Sequence, residues 1–290
     1  MKNRVKIGFA CAGTPTPAVA RFGTAYVLSI DGHSILIDCG PAATYKLTRL
    51  GVNVTDISEI LFTHHHYDHD SDYPCLVLTR WNHLVDHSTP LRVWGPEPTE
   101  RLTQALFGEQ GVYALDWRAR TEAVASKEIF VSRGGSLPRP ALRVEARDVT
   151  PGMSFRVQGC DVSVHTACHV QPWLSSVGYR IETPAGGVCF VGDSGPCQTI
   201  TEAAQGARVL VVNCWDHTRH MDDDPVSCCM FNPREAGALA AHTGVARLVL
   251  AHLSAKQASL ENRETLQAAV RDGGYAGECI VAEEGMWLPV

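Results

Sequence analysis

Residues 62–70 read FTHHHYDHD, straight after the apolar run at 57–61 (ISEIL). Four histidines and two aspartates fall within nine residues. Imidazole and carboxylate groups beside a buried run are costly unless solvated or bound. The stretch is therefore either a solvated loop that happens to be rich in histidine or a metal-binding loop. A metal site must draw further ligands from elsewhere in the chain, so the remaining sequence decides.

Further candidates stand at the ends of other apolar runs. LIDCG ends at Asp38, VSVHTACHVQPW offers His165 and His169, CFVGDSG ends at Asp193, and RLVLAHLS reaches His252. Each is a β-type run that terminates in a histidine or an aspartate, which places these groups at the mouth of one cleft. Within the cluster, His64 and His66 alternate with His65 and so point the same way in extended chain. Asp68 and His69 follow around a turn. The spacing allows two ligands to one cation and two to a second. Neutral imidazole and carboxylate suit zinc, manganese or iron. Two cations about 3.5–4 Å apart need a bridging carboxylate and a bridging hydroxide, and Asp193, alone at a strand end, is the natural bridge.

The chain of 290 residues can bury a substantial core, and 45% hydrophobic with 19% charged residues fits a globular protein. We read residues 1–290 as one domain. The net charge of −6 offers no bulk attraction to nucleic acid or anionic membrane, and no run approaches the ~20 apolar residues that span a bilayer. The basic start MKNRVKIGFACAG reads as a first strand rather than a secretion signal. Eleven cysteines without a Cys-x-x-Cys pair read as free thiols in a reducing cytoplasm.

Short β-type runs punctuated by Gly, Pro and Asp alternate with helical patterns at AATYKLTRLG, YPCLVLTRWNHLV, PTERLTQALFG, PREAGALAAHTG and SLENRETLQAAVRD. SFRVQGCDVSVHTA and ECIVAEEGMWLPV each read as one strand. Two such stretches predict an α/β protein in which two β-rich halves pack face to face with helices outside. Residues 107–139 are rich in Arg, Gly and Pro and read as irregular, either an insertion that shapes a pocket or a surface excursion.

THHHYDH resembles the His-x-His-x-Asp-His signature of the metallo-β-lactamase fold. Asp38, His169, Asp193 and His252 match that family's other motifs in the same order, so the resemblance spans residues 6–254. GFACAGTPTP and GYRIETPAGGVCFVGDSG resemble the branch that holds ribonuclease Z, arylsulfatase and small phosphodiesterases. The resemblance implies a four-layer αββα sandwich and two divalent metal ions, zinc foremost. It implies that His64, His66 and His169 bind the first metal, that Asp68, His69 and His252 bind the second, and that Asp193 bridges them. Asp38 would orient a ligand. His65 and His165 read as packing or solvated residues, because they alternate away from the ligands.

A cation pair lowers the pKa of its water toward neutrality, and the resulting hydroxide attacks carbon, phosphorus or sulfur. The leading expectation is a metal-dependent hydrolase of a small-molecule ester, lactone, phosphodiester or sulfate ester. Asp68 would orient the hydroxide. Ribonuclease Z carries a His-Glu-Ala-Thr motif where this chain has Asn213-Cys214-Trp215-Asp216, and no Gly/Pro-rich basic arm is visible. Nucleic acid is therefore not the expected partner, and a ribonuclease Z-like RNA phosphodiesterase is the alternative. The stretch NCWDHTRHMDDD offers His217 and His220 as proton donors and Trp215 as a wall, and Tyr67 could reach a substrate oxygen. A homodimer is implied by analogy with that branch alone. An iron-dependent oxidoreductase is a further alternative, disfavoured because the second set of ligands is complete. A metal-binding scaffold without catalysis is disfavoured because all seven ligand positions are filled.

Overall fold

Valine, isoleucine and leucine run with little polar interruption through 24–30 (TAYVLSI) and 209–213 (VLVVN), the mark of strands covered on both faces. The computed structural model describes residues 5–86, 89–215 and 228–290. From the N-terminus come β1 (Val5–Ala12), β2 (Thr24–Ile30), β3 (His33–Ile37), α1 (Ala43–Arg49), β4 (Ile57–Leu61), the single turn α2 (Tyr67–Asp70) and α3 (Tyr73–His83). They are followed by β5 (Leu91–Gly95), α4 (Thr99–Phe107), α5 (Ala114–Glu122), α6 (Val124–Ser132) and β6 (Val144–Asp148). The second half holds β7 (Ser154–Val157), β8 (Cys160–Thr166), β9 (Val177–Thr183), β10 (Gly186–Phe190), α7 (Gln198–Ala204) and β11 (Val209–Asn213). It closes with α8 (Pro233–Thr243), β12 (Arg247–Ala251), α9 (Leu260–Asp272), β13 (Glu278–Val281) and β14 (Trp287–Pro289).

The strands form two sheets, ordered β14-β1-β2-β3-β4-β5-β6 and β13-β12-β11-β10-β9-β8-β7. Each sheet turns from antiparallel to parallel, at β3–β4 in the first and at β10–β11 in the second. A shared apolar core that includes Ile7, Leu28, Ile37 and Leu61 of one sheet and Val162, Ile181, Phe190 and Val249 of the other fills the space between them. On the outer side of the first sheet, Leu47 of α1 and Tyr73, Leu76 and Val77 of α3 meet Val27, Leu36 and Ile60. On the outer side of the second, Ile200 of α7, Ala236 and Ala240 of α8 and Leu266 and Val270 of α9 meet Leu210 and Leu250. The layers run helix, sheet, sheet, helix, as expected from the sequence.

Three readings are corrected. The run at 154–167 is a hairpin, because Gln158 and Gly159 both have positive φ (46° and 78°) and make the tight turn that suits strand twist. The run at 278–290 is two strands in different sheets, broken at Glu283-Glu284-Gly285 with Gly285 at φ 89°. Residues 107–139 are not irregular. They form α5 and α6, anchored by buried Phe130 and by Trp117, whose indole N–H donates to the Phe107 carbonyl at 3.1 Å.

The parallel strands β3, β4, β10, β11 and β12 deliver their carboxyl ends to one edge, the customary place for a ligand in such sheets. There the turn after β3 is stitched to the histidine loop. The Cys39 amide donates to the His69 carbonyl at 2.6 Å, and the Asp72 amide donates to the Cys39 carbonyl at 3.0 Å. Gly40 makes this approach possible, because a Cβ there would overlap the Asp68 carbonyl oxygen. Gly40→Ala is expected to lower stability by about 1–3 kcal/mol, as overpacking does, and to reduce metal retention. Thermal denaturation and metal analysis check this, and unchanged values for both would contradict the stitched geometry.

Candidate metal centre

His64, His66, His169 and Asp193 lie three to five residues beyond a strand's carboxyl end, Asp68 and His69 sit in the turn α2 that follows β4, and His252 directly follows β12. Ligand atoms of His64, His66 and His169 lie within 4.8 Å of one another, and so do those of Asp68, His69 and His252. A third set, His64, His69 and Asp193, meets the same limit and places Asp193 between the other two. Its carboxylate oxygens stand 3.5 Å from His69 Nε2, 3.6 Å from His252 Nε2 and 3.9 Å from the Nε2 atoms of His64 and His169. Asp38 and His252 adopt left-handed backbone conformations (φ 58° and 56°), strain of the kind that the fold maintains at working sites.

The outward hydrogen bonds set the imidazole tautomers. Thr63 donates its hydroxyl hydrogen to Asp38 Oδ2 at 2.8 Å, so the Thr63 oxygen accepts from His64 Nδ1 at 3.1 Å. His69 Nδ1 donates to Asp38 Oδ2 at 2.8 Å, and His169 Nδ1 donates to the Cys229 carbonyl at 2.9 Å. In all three rings Nε2 is the nitrogen aimed inward, the arrangement found in metal-ligating histidines. His69 Nε2 is buried and has no hydrogen-bond partner among the described residues. His64 Nε2 and His66 Nδ1 face each other at 3.0 Å, and His169 Nε2 faces His66 Nδ1 at 3.3 Å.

The electrostatics agree. Burial, with the His69 charge adding to it, holds the His64 pKa well below the usual imidazole range, which keeps the ring in its ligating form. Burial would raise Asp193, but the His252, His69 and His64 imidazoles hold its carboxyl well below the carboxylate range. Burial would likewise lower His69, yet Asp193 and Asp38 raise it well above the imidazole range. That position prefers positive charge, and a cation supplies it as a proton does. The donor set of imidazole and carboxylate fits a divalent metal ion.

Other predicted residues lie apart from this cluster. His65 points away, with Nδ1 3.1 Å from Asp70 Oδ2 and Nε2 2.7 Å from the Thr99 hydroxyl. His165 pairs with Ser163 at 2.9 Å. The Tyr67 hydroxyl donates to the Pro15 carbonyl at 3.0 Å, on the surface. Trp215 is partly exposed, and His217 and His220 lie outside the described residues. Sequence reasoning missed Asn213, which ends β11 and donates through Nδ2 to Asp193 Oδ1 at 2.7 Å while its own oxygen accepts from the Tyr26 hydroxyl at 2.8 Å. The signal was present: VVNCW is another apolar run ending in a polar residue.

Residues 33–253 match the family model for the beta-lactamase superfamily domain. The chain belongs to the beta-lactamase superfamily. Within the superfamily it is 28% identical to the ribonuclease Z of Mycobacterium marinum over 280 residues, 93% of this chain and 94% of that one. It is 29% identical to the ribonuclease Z of Mycobacterium sp. (strain KMS) over 210 residues, 71% of this chain and 67% of the relative. The metallo-beta-lactamase fold protein YhfI from Bacillus subtilis has the same fold, with TM-score 0.75 and 19% identity over 100% of both chains. So does the short form of human tRNase Z, with TM-score 0.67 and 20% identity over 98% of each. These likenesses support the ribonuclease Z branch, a metal-dependent hydrolase and a requirement for divalent metal ions.

They also correct the expectation that set nucleic acid aside. Proteins similar over nearly their whole length are named as ribonucleases. The physical error lay in the net charge of −6, which averages over the surface and does not describe the field at one cleft.

Two outcomes follow from the hydrogen bonds. Asp38→Asn removes the acceptor that fixes His69 and is expected to weaken metal affinity about 10–100-fold, measured by competition with a chromogenic chelator. Cation binding must displace the proton that Asp193 and Asp38 favour on His69, so affinity should rise with pH and protons should be released on binding. Calorimetry in buffers of different ionisation enthalpy reads this, and affinity independent of pH would contradict it.

Proposed function

We propose that this protein is a metal-dependent RNA phosphodiesterase of the ribonuclease Z type. The observation that carries the reading is the joint presence of the seven-residue cluster and a likeness to a ribonuclease Z over 93% of the chain. In this reading His64, His66 and His169 hold one divalent cation and Asp68, His69 and His252 hold another. Asp193 would be shared between the two sets, and zinc, manganese or iron would suit the donors. Bound there, such cations supply Lewis acidity that polarises a phosphoryl oxygen and eases the ionisation of water.

The chain's own groups do the rest. Asp38 keeps His69 Nδ1 protonated and Thr63 in place, so that the Nε2 atoms of His64 and His69 face the site and His69 has only its Nε2 proton to give up. Burial would raise Asp68, but its hydrogen bond from His252 and the His69 charge lower it, so it is ionised and able to orient water. Asn213 occupies the place of the family's His-Glu-Ala-Thr motif and holds Asp193 rather than a reacting proton. The proton for the leaving oxygen is therefore assigned to His217 or His220.

The test is cleavage of a tRNA precursor with a 3′ extension by metal-loaded protein, beside bis(p-nitrophenyl) phosphate as a minimal diester. Discrete, metal-dependent RNA cleavage is expected, eliminated by chelation, and reduced at least ~100-fold in His66→Ala, more than the loss of an orienting partner causes. Turnover of the small diester with the precursor left intact would sink the RNA reading and leave the hydrolase standing.

A further inference from the structure

Three arginines in the first half, Arg21, Arg80 and Arg139, are almost fully buried, and none has a carboxylate ion pair among the described residues. Arg80, in the last turn of α3, is 6% exposed, and Arg139, before β6, is 8% exposed. The Arg80 Nε donates to the Ile57 carbonyl at 2.5 Å, and this is its single hydrogen bond to the described residues. Burial lowers its pKa with no acidic group to offset the effect. Arg139 stacks over the Trp81 ring at 4.2 Å. Burial and its neighbours Arg120 and Arg133 lower its pKa as well.

Arg21 shows how the same fold treats a buried guanidinium that is purely structural. Its Nε, Nη1 and Nη2 donate to the carbonyls of Leu253, Ala282 and Ala12 at 3.0, 2.8 and 2.7 Å. Both terminal nitrogens of Arg80 lack such acceptors. A guanidinium carries five N–H donors, and the terminal nitrogens of Arg80 keep contact with solvent, so their unused donors are open to a ligand in the cavity.

Arg80 lines a cavity of ≈ 460 Å³, a size typical of small-ligand sites. The walls are otherwise mostly apolar, formed by Val77, Trp81 and Leu84 of the α3 side and by Leu91, Leu142 and Val144 opposite. None of the cavity's lining residues belongs to the metal cluster. Arg143 at its edge is exposed and already paired with Glu145.

We infer that this cavity is a binding site for a small amphipathic oxyanion, a phosphate or carboxylate on an apolar body. The head group meets the free end of Arg80, and the body fills the space between α3 and the β5–β6 side. A guanidinium is well suited to either head group, because both offer paired oxygens to its fork. The site is independent of the catalytic reading.

Calorimetric titration of the full-length protein with phenyl phosphate, benzoate and benzyl alcohol tests the inference. Wild type and His66→Ala are compared, so that anion binding at the metal centre is separated from binding here. Saturable binding of at least one of the two anions is expected in both proteins, with none for the neutral alcohol. The stronger anion identifies the head group. Arg80→Gln should weaken that binding about tenfold or more, the loss expected for a charge-assisted hydrogen bond. Should that variant fail to fold, Ala141→Trp keeps Arg80 and narrows the cavity, and the same loss is expected. No saturable anion binding in His66→Ala, equal binding of benzyl alcohol, or binding unchanged by the cavity variants would overturn the inference.

Discussion

One buried carboxylate organises the working edge of this protein. Asp38 follows β3 and is almost wholly inaccessible. It accepts the Thr63 amide at 2.7 Å, the Thr63 hydroxyl at 2.8 Å and His69 Nδ1 at 2.8 Å. Burial raises its pKa, and those donors, His69 first, offset the penalty. Through Thr63 it sets the end of β4 and the tautomer of His64, and through His69 it sets the turn α2. Two neighbouring parallel strands are thereby locked so that their next residues face one point.

That point gathers side chains from both sheets, and their polarity explains why they tolerate such crowding. Imidazole nitrogens 3.0–3.3 Å apart and carboxylate oxygens 3.5–3.9 Å from Nε2 atoms are spaced as donors around shared cations would be. The outward partners, Asp38, Thr63 and the Cys229 carbonyl, use the Nδ1 protons and leave the inward nitrogens free. Asn213, itself held by Tyr26, fixes Asp193 from β11, so the central carboxylate is positioned from the second sheet as firmly as the histidines are from the first.

Much of this was legible in the sequence, because an apolar strand run ending in His or Asp marks both an element and its tip. Asp38, His169, Asp193 and His252 followed from that pattern, and the alternation of His64, His65 and His66 gave the side facing each neighbour. Asn213 ends a strand in the same way but was read against a motif it lacks. Helices α5 and α6 were hidden because both are short and neither carries a marked apolar stripe at helical spacing. The separation of β13 from β14 needs the sheet partner of each, which no local pattern contains. Arg80 looks ordinary in sequence, since a guanidinium with unused donors is defined by what the fold fails to bring near.

The most direct test is anomalous diffraction from crystals of the full-length protein grown with zinc or manganese. Two strong peaks are expected beside the Asp193 carboxylate, one near His64, His66 and His169 and the other near Asp68, His69 and His252. An ordered cluster of those seven side chains that holds no stoichiometric cation after loading would contradict the account.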